Sequence, residues 1–141
     1  MRRRLVAISA AILALAWAEM ARAAAAEILE HKGRWESGYG SMWYNVVGRL
    51  KNTSGHTLRW AKLRIDAIDE HGKVVASTDT YNESAEVLTV PDANPKDLLA
   101  QGKVKTLAAN GEERFRGSFL KNETPPFKDY RISIIETPAA K

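Results

Sequence analysis

The segment from Val46 to Val75 constrains the fold most strongly, because its apolar and polar residues alternate. One predicted face carries apolar residues at every second position: Val46, Gly48 and Leu50, then Ala61, Leu63, Ile65 and Ala67. Such a period is typical of β-strands with one buried and one solvated face. Polar turns at 52–55 and 69–72 separate the runs, and Gly72 suits a positive φ at the end of the second turn.

The same alternation recurs along the chain and predicts further strands. These are expected at Ile28–Trp35, Met42–Leu50, Val74–Tyr81, Ala85–Val90, Val104–Leu107, Glu113–Leu120 and Asp129–Glu136. Short strands separated by regular turns predict an all-β fold, a β-sandwich of about seven to eight antiparallel strands. Between them, Pro91 to Leu99 is the least regular region: Pro91 to Pro95 reads as a loop, and Lys96 to Gln101 as one or two helical turns ended by Gly102. We therefore expect one loop or short-helix insertion.

Three segments depart from this regular pattern, and each predicts a local feature of the structure. Gly48 in an apolar row indicates a bulge or a close crossing of the opposite sheet. Leu58 and Trp60 are out of phase with Leu63, which predicts a bulge near Ala61. The small, polar tail at 137–141 is expected to be loose.

The N-terminus predicts export. Three arginines, Arg2 to Arg4, precede an apolar stretch from Leu5 to Ala18, and two later sites, at 21–23 and 24–26, offer small residues for cleavage. This pattern is typical of a secretory signal peptide, so we expect residues 1–26 to be removed and residues 27–141 to form a single β-sandwich domain. The expected location is the periplasm or the medium, with membrane attachment only through an uncleaved signal peptide.

Removal of that segment changes the charge balance. The whole chain has 21 basic and 17 acidic residues, and residues 1–26 hold four arginines and one glutamate. The mature chain would thus have 21 − 4 = 17 basic and 17 − 1 = 16 acidic residues, a net charge near +1. A nucleic-acid partner requires a basic stripe that this balance does not supply. The small basic group Arg59, Lys62 and Arg64 is interpreted as a solvated sheet face.

Several landmarks resemble one known family. They are Val47-x-x-Leu50-x-Asn52, Leu58, Ile68-Asp69-x-x-Gly72-x-Val74-Val75, the turn from Leu107 to Glu112, Phe115 and Phe119, and Tyr130-x-Ile132-x-Ile134. Together they resemble the FxLYD domain over roughly Trp43 to Glu136, with an insertion near 82–105. The resemblance implies an immunoglobulin-like β-sandwich of exported bacterial proteins and implies no general activity. Ala67-Ile68-Asp69 stands at the position of "LYD", so that aromatic is missing.

Catalytic and metal-binding patterns are weak. The chain has no cysteine, and His31, His56 and His71 lack the spacing of metal ligands. The serines form neither GxSxG nor SxxK. Acids such as Asp69 and Asp92 lack the repeat of a calcium loop. We therefore expect no enzyme activity and no cofactor.

Two sets of residues are candidates for ligand or partner contact. Trp35, Tyr39 and Trp43 lie close together in the sequence and would form a sugar-binding platform if their rings were coplanar and exposed. The alternative is that Trp43 or Tyr44 fills the core, since these adjacent residues point to opposite faces of a strand. Asp92, Asn94 and Lys96 belong to the insertion, where a variable contact loop is expected.

The combined hypothesis is an exported, non-catalytic β-sandwich that acts as a protein-interaction or structural module of the envelope. Its partner would be an envelope or secreted protein, and sheet edges offer a natural way to dock it. The alternative is a carbohydrate-binding module that uses exposed aromatics to hold a glycan.

Overall fold

The computed structural model describes residues 25–140, in which six antiparallel strands form two three-stranded sheets. The strands are β1 Ala26–Gly38, β2 Ser41–Asn52, β3 Lys62–Ile68, β4 Val74–Tyr81, β5 Glu112–Leu120 and β6 Asp129–Glu136. The helices are the 3₁₀ helices Glu83–Thr89 and Lys121–Glu123 and the α-helix α1 Pro95–Ala100. The sheet orders are β1–β2–β5 and β4–β3–β6. The predicted all-β sandwich is confirmed, with fewer strands than expected.

The alternating pattern located most strands well. Val74–Tyr81 and Asp129–Glu136 match the predicted bounds, and the predicted helical turn is α1. The apolar face of β3 is buried as expected, since Leu63, Ile65 and Ala67 have no exposed surface. Gly72 has a φ of 78°, as the turn required.

Two predicted strands are wrong. Ala85–Val90 lies mostly in the 3₁₀ helix Glu83–Thr89, and Val104–Leu107 makes only an isolated bridge, from Leu107 to Leu58. In each segment the buried residues are three apart: Ala85 with Leu88, and Val104 with Leu107. A 3₁₀ helix repeats every three residues, so the spacing, rather than the apolar content, was the better guide for the first segment.

The predicted bulge near Ala61 is also wrong, because β3 begins only at Lys62 and the preceding segment is irregular. The bulges are elsewhere, where the pairing register shifts: at Leu29 in β1, at Val75 in β4 and at Ile135 in β6.

The two sheets lie closest together along β4 and β5. A Cβ added to Gly117 would overlap the δ-methyl of Ile65 in the opposite sheet. The Thr80 hydroxyl also donates to the carbonyl of Arg116 at 2.6 Å. We call this the closed side. The predicted close crossing of the opposite sheet at Gly48 is wrong, because Gly48 makes room for the Phe115 ring within its own sheet; the crossing lies at Gly117.

Asn52 connects three segments at one end of the sandwich. Its side chain is fully buried, and its amide donates to the carbonyls of His56, Leu107 and Ala108 at 2.7–3.0 Å. Its carbonyl oxygen accepts from the backbone and hydroxyl of Ser54. A buried amide with all its partners satisfied fixes these turns to the end of β2.

A second buried amide, Asn82, acts in the same way beyond β4. Its side-chain oxygen accepts from the Ala61 amide at 2.8 Å, and its nitrogen donates to the Glu113 carboxylate at 2.9 Å. That carboxylate also accepts from the backbone and hydroxyl of Ser84. The start of the 3₁₀ helix is therefore tied to both sheets.

The C-terminal tail is not loose up to residue 140, contrary to expectation. The carbonyl of Pro138 accepts from the Arg59 amide at 2.8 Å, and the Ala140 amide donates to the Thr57 carbonyl at 2.9 Å. These bonds place the tail alongside the irregular segment that precedes β3.

We predict that Asn52→Ala lowers the free energy of unfolding by about 2–4 kcal/mol, because buried carbonyls lose their donor. Asn122→Ala is the matched control, since Asn122 is exposed, and should cost less than about 0.5 kcal/mol. Urea unfolding of both variants measures the difference. Equal, small losses would contradict a connecting role for Asn52.

Candidate functional site

The sandwich opens on the side of β1 and β6, opposite the closed side. The inward residues of β5 on the closed side, Phe115, Gly117 and Phe119, are all buried. The inward residues of β6, Tyr130, Ile132 and Ile134, are only partly buried. We call the region between β1 and β6 the open side.

Aromatic rings fill the gap between the sheets at one end of the open side. The members of this aromatic cluster are Trp35, Tyr44, Phe119, Phe127 and Tyr130. Tyr44 is central, with its ring centroid 5.2 Å from that of Trp35 and 5.0 Å from that of Phe127. Both pairs have the edge-to-face geometry that aromatic quadrupoles favour.

The sequence of β1 places this cluster. Trp35 lies opposite Tyr44 in the β1–β2 register, so both side chains point to the inner face. A Cβ at Gly33 would overlap the Tyr44 hydroxyl, so glycine there lets the Tyr44 ring lie across β1. His31, on the same face, forms a 2.7 Å hydrogen bond with the Tyr130 hydroxyl and so connects β1 to β6.

Trp35 forms the solvent-facing rim of the cluster. Its side chain is 43% exposed although it packs on Tyr44 and Phe127. The ammonium of Lys121 lies 5.9 Å from the centre of the Trp35 ring, within the range of a cation–π contact. Trp35 therefore combines a fixed position with a surface that a ligand or partner could cover.

The two strands that flank the cluster have free edges. β1 and β6 end their respective sheets, and within residues 25–140 no further strand pairs with either. The residue inserted at each bulge, Leu29 in β1 and Ile135 in β6, is an exposed apolar side chain. The open side thus offers backbone hydrogen-bonding groups together with apolar surface.

The three aromatics that the sequence singled out do not form one platform. Trp35 faces inward, whereas Trp43 alternates with Tyr44 and lies on the outer face, where its indole donates to the Gly38 carbonyl at 3.2 Å. Tyr39 is fully exposed at the tip of the β1–β2 hairpin, with a φ of 52°. The structure places only Trp35 in an aromatic cluster.

The insertion residues lie at another part of the molecule. Asn94 caps α1, since its side-chain oxygen accepts from the amides of Lys96 and Asp97, and Asp92 has a φ of 65° in the preceding turn. Leu98 of α1 packs against a second apolar cluster around Trp60. Trp60 precedes β3, whereas the aromatic cluster lies at the other end of that strand.

Other chemical features of the described residues are limited. No group of three or more histidine, aspartate or glutamate side chains within residues 25–140 is arranged to hold a metal ion. No helix in this range is long and apolar enough to cross a membrane.

Sequence reasoning did not place Phe127 and Tyr130 in one cluster with Trp35 and Tyr44. Phe127 follows two prolines in a link without periodicity, so no pattern indicated its direction. The available signal was Gly33 in β1, since a glycine in a strand often marks the close approach of another group.

Burial raises the pKa of Tyr44 and of Tyr130. The negative charge of Asp129 raises both further, and Tyr44 contributes to the shift of Tyr130. The phenols of the cluster thus remain neutral beyond the pH at which an unperturbed tyrosine ionises.

Neither the family models, nor the curated proteins, nor the solved structures gave a match to this chain.

We predict that the stability contributed by Tyr44 and Tyr130 is present below a pH of about 10, the unfolded tyrosine pKa, and is lost as pH rises through their raised folded values. Above the unfolded pKa the unfolded chain binds fewer protons than the folded one, so unfolding becomes easier. Absorbance titration should show a late-ionising component that Tyr44→Phe and Tyr130→Phe each reduce. If all tyrosines of the protein ionised in a single step, at the same pH as free tyrosine, burial of these phenols would be contradicted.

Proposed function

We propose that this chain is an exported, non-catalytic β-sandwich module that binds another protein of the bacterial envelope or a secreted protein through its open side. The observation that carries the proposal is the half-exposed Trp35 between two free strand edges. An extended segment of a partner could add a strand to either edge and cover the aromatic rim.

Strand addition suits this geometry because it uses two kinds of contact together. Main-chain hydrogen bonds to a free edge supply affinity, and pockets for alternate side chains supply specificity. At β6 the added strand would lie beside the partly buried Ile132 and Ile134. Further burial of these side chains is favourable by about 25 cal/mol per Å² of apolar area.

The edge of β1 carries features that restrict unspecific pairing. Glu30, Lys32 and Arg34 alternate along its outer face, and the bulge at Leu29 interrupts its register. Charged side chains and bulges are common protections of edge strands against aggregation. A partner would have to match this interrupted register, which favours a specific protein over general self-association.

The resemblance to the FxLYD domain supports export and the β-sandwich fold. The Asn52 of that resemblance is the buried connector at the end of β2, so this landmark serves the fold. We propose membership of that family on these residues, with a location in the periplasm or the medium.

The expected signal peptide lies almost entirely outside the described residues, but its two cleavage sites differ in consequence. Ala26 is only 2% exposed and begins β1, and the carbonyl of Ala25 accepts from the Thr53 amide at 3.0 Å. Cleavage after Ala26 would remove both the buried Ala26 and the hydrogen bond to Ala25. We therefore propose cleavage after Ala23, so that Ala24 becomes the first residue of the mature protein.

The intact mass of the protein recovered from the envelope or the medium tests this site. A mass corresponding to a chain that starts at Ala24 is expected. A chain starting at Glu27 would contradict the choice of site, and an uncleaved chain in the cytoplasm would contradict export itself.

Binding through the open side is tested by crosslinking pull-down from native envelope extract with the secreted, processed protein as bait. We expect one stoichiometric protein partner, and Trp35→Ser should reduce its recovery at least about tenfold, as loss of a central aromatic contact does. Tyr39→Ser is the matched control, because Tyr39 is fully exposed outside the open side, and should leave recovery unchanged.

Other results of the same experiment would overturn the proposal. Equal loss with Tyr39→Ser would place binding at the hairpin tip. Recovery of glycan in place of protein would favour the carbohydrate-binding alternative.

A further inference from the structure

The outward face of the β1–β2–β5 sheet carries an open groove of about 930 Å³ that crosses all three strands. Lys32 on β1 and Arg116 on β5 both lie opposite Val47 on β2, so these side chains form one row across the sheet. Arg114 lies two positions from Arg116 on the same face of β5 and opposite Arg49. We call Lys32, Val47, Arg114 and Arg116 the basic trough.

The basic trough brings together three cations, and the charge of Glu36 on their own sheet attracts Arg116 without a direct ion pair. Arg49 is paired with Glu30, whose carboxylate lies 2.8 Å from the guanidinium. Within residues 25–140, Lys32, Arg114 and Arg116 make no ion pair, and all three are exposed. Three cations around Val47 favour an anionic ligand.

The rim of the groove limits the size of that ligand. On the β5 side the groove is bounded by Tyr81 and by Glu83 and Glu86 of the 3₁₀ helix, and on the β1 side by Glu30. A long polyanion or an anionic membrane surface would meet these carboxylates and be repelled. A short acidic segment that lies between the two rims would not.

We propose that the basic trough binds a short, extended segment of a partner protein that carries an acidic residue at every second position. In an extended chain, side chains two positions apart lie on one face, separated by about 6.8 Å. Arg114 and Arg116 have the same spacing on β5, so two successive carboxylates of such a segment could each meet one guanidinium. The residues between the acids would face away from the sheet.

This surface is separate from the open side. The trough lies on the outer face of β1, β2 and β5, whereas the open side uses the inner residues and the free edges of β1 and β6. The inference therefore does not depend on strand addition, and either surface could fail without the other.

The test measures the fluorescence anisotropy of a labelled peptide as the full mature protein is added. The peptide alternates glutamate and valine and has 9 residues, the length of β5. We expect saturable binding that weakens about tenfold or more between low and high salt, as exposed charge contacts do. The charge-reversal variant Arg114→Glu with Arg116→Glu should weaken binding at least about tenfold, since it removes and reverses several such contacts.

The matched control is Lys73→Glu with Lys128→Glu, which makes the same change in net charge on exposed residues next to the other sheet. It should retain binding to within about twofold, because its charges are far from the trough. Circular dichroism and urea unfolding verify that each variant is folded, and Lys32→Glu replaces the double variant if that one is not.

Three outcomes would overturn the proposal. They are no peptide binding by the wild type, equal weakening by the control variant, and stronger binding to phosphatidylglycerol vesicles than to the peptide. The last would assign the trough to an anionic membrane surface.

Discussion

The close approach of Gly117 to Ile65 sets the arrangement of the two sheets. Because Gly117 has no side chain, the δ-methyl of Ile65 occupies the space where a Cβ would lie. The sheets therefore meet along β4 and β5, and the Thr80 hydroxyl reaches the backbone of β5. With one side fixed in this way, the opposite side must be filled by larger groups, and the aromatic cluster fills it.

The buried asparagines make this arrangement rigid at one end. Asn52 and Asn82 each form hydrogen bonds with backbone groups of segments that lie far apart in sequence. These bonds attach the irregular connections to the sheets. A buried polar network of this kind stabilises only when all its members are paired, and within the described residues no buried side-chain nitrogen or oxygen lacks a partner. The rest of the sandwich around the open side is thus held by satisfied hydrogen bonds.

Much of the fold could be predicted from alternation alone, because a strand with one buried face imposes a period of two on its residues. This gave the bounds of β4 and β6 and the buried face of β3. The failures occur where the local pattern is shared by different structures. Ala85 and Leu88 are apolar in either a short strand or a 3₁₀ helix, and only their spacing of three residues favours the helix.

The candidate site was less predictable, because it depends on contacts between the sheets. Trp35 was identified as a contact residue, but its neighbour Phe127 lies 127 − 35 = 92 positions away and in the link before the other sheet's edge strand β6. Tyr39 and Trp43 were grouped with Trp35 because the three are close in sequence. The β1–β2 hairpin places them on different surfaces. The basic trough also depends on segments that are distant in sequence. Lys32, Arg114 and Arg116 form a patch only because β1 and β5 lie on either side of β2.

The function proposed here requires a sandwich that is closed along β4 and β5 and open along β1 and β6. Residue-level amide hydrogen exchange of the isolated mature protein, followed by NMR, tests this most directly. The account predicts alternation along β1 and β6: amides that face β2 or β3 are protected, and those between them exchange rapidly. Uniform protection of consecutive amides in both strands would show that their edges are already covered, which would contradict the open side.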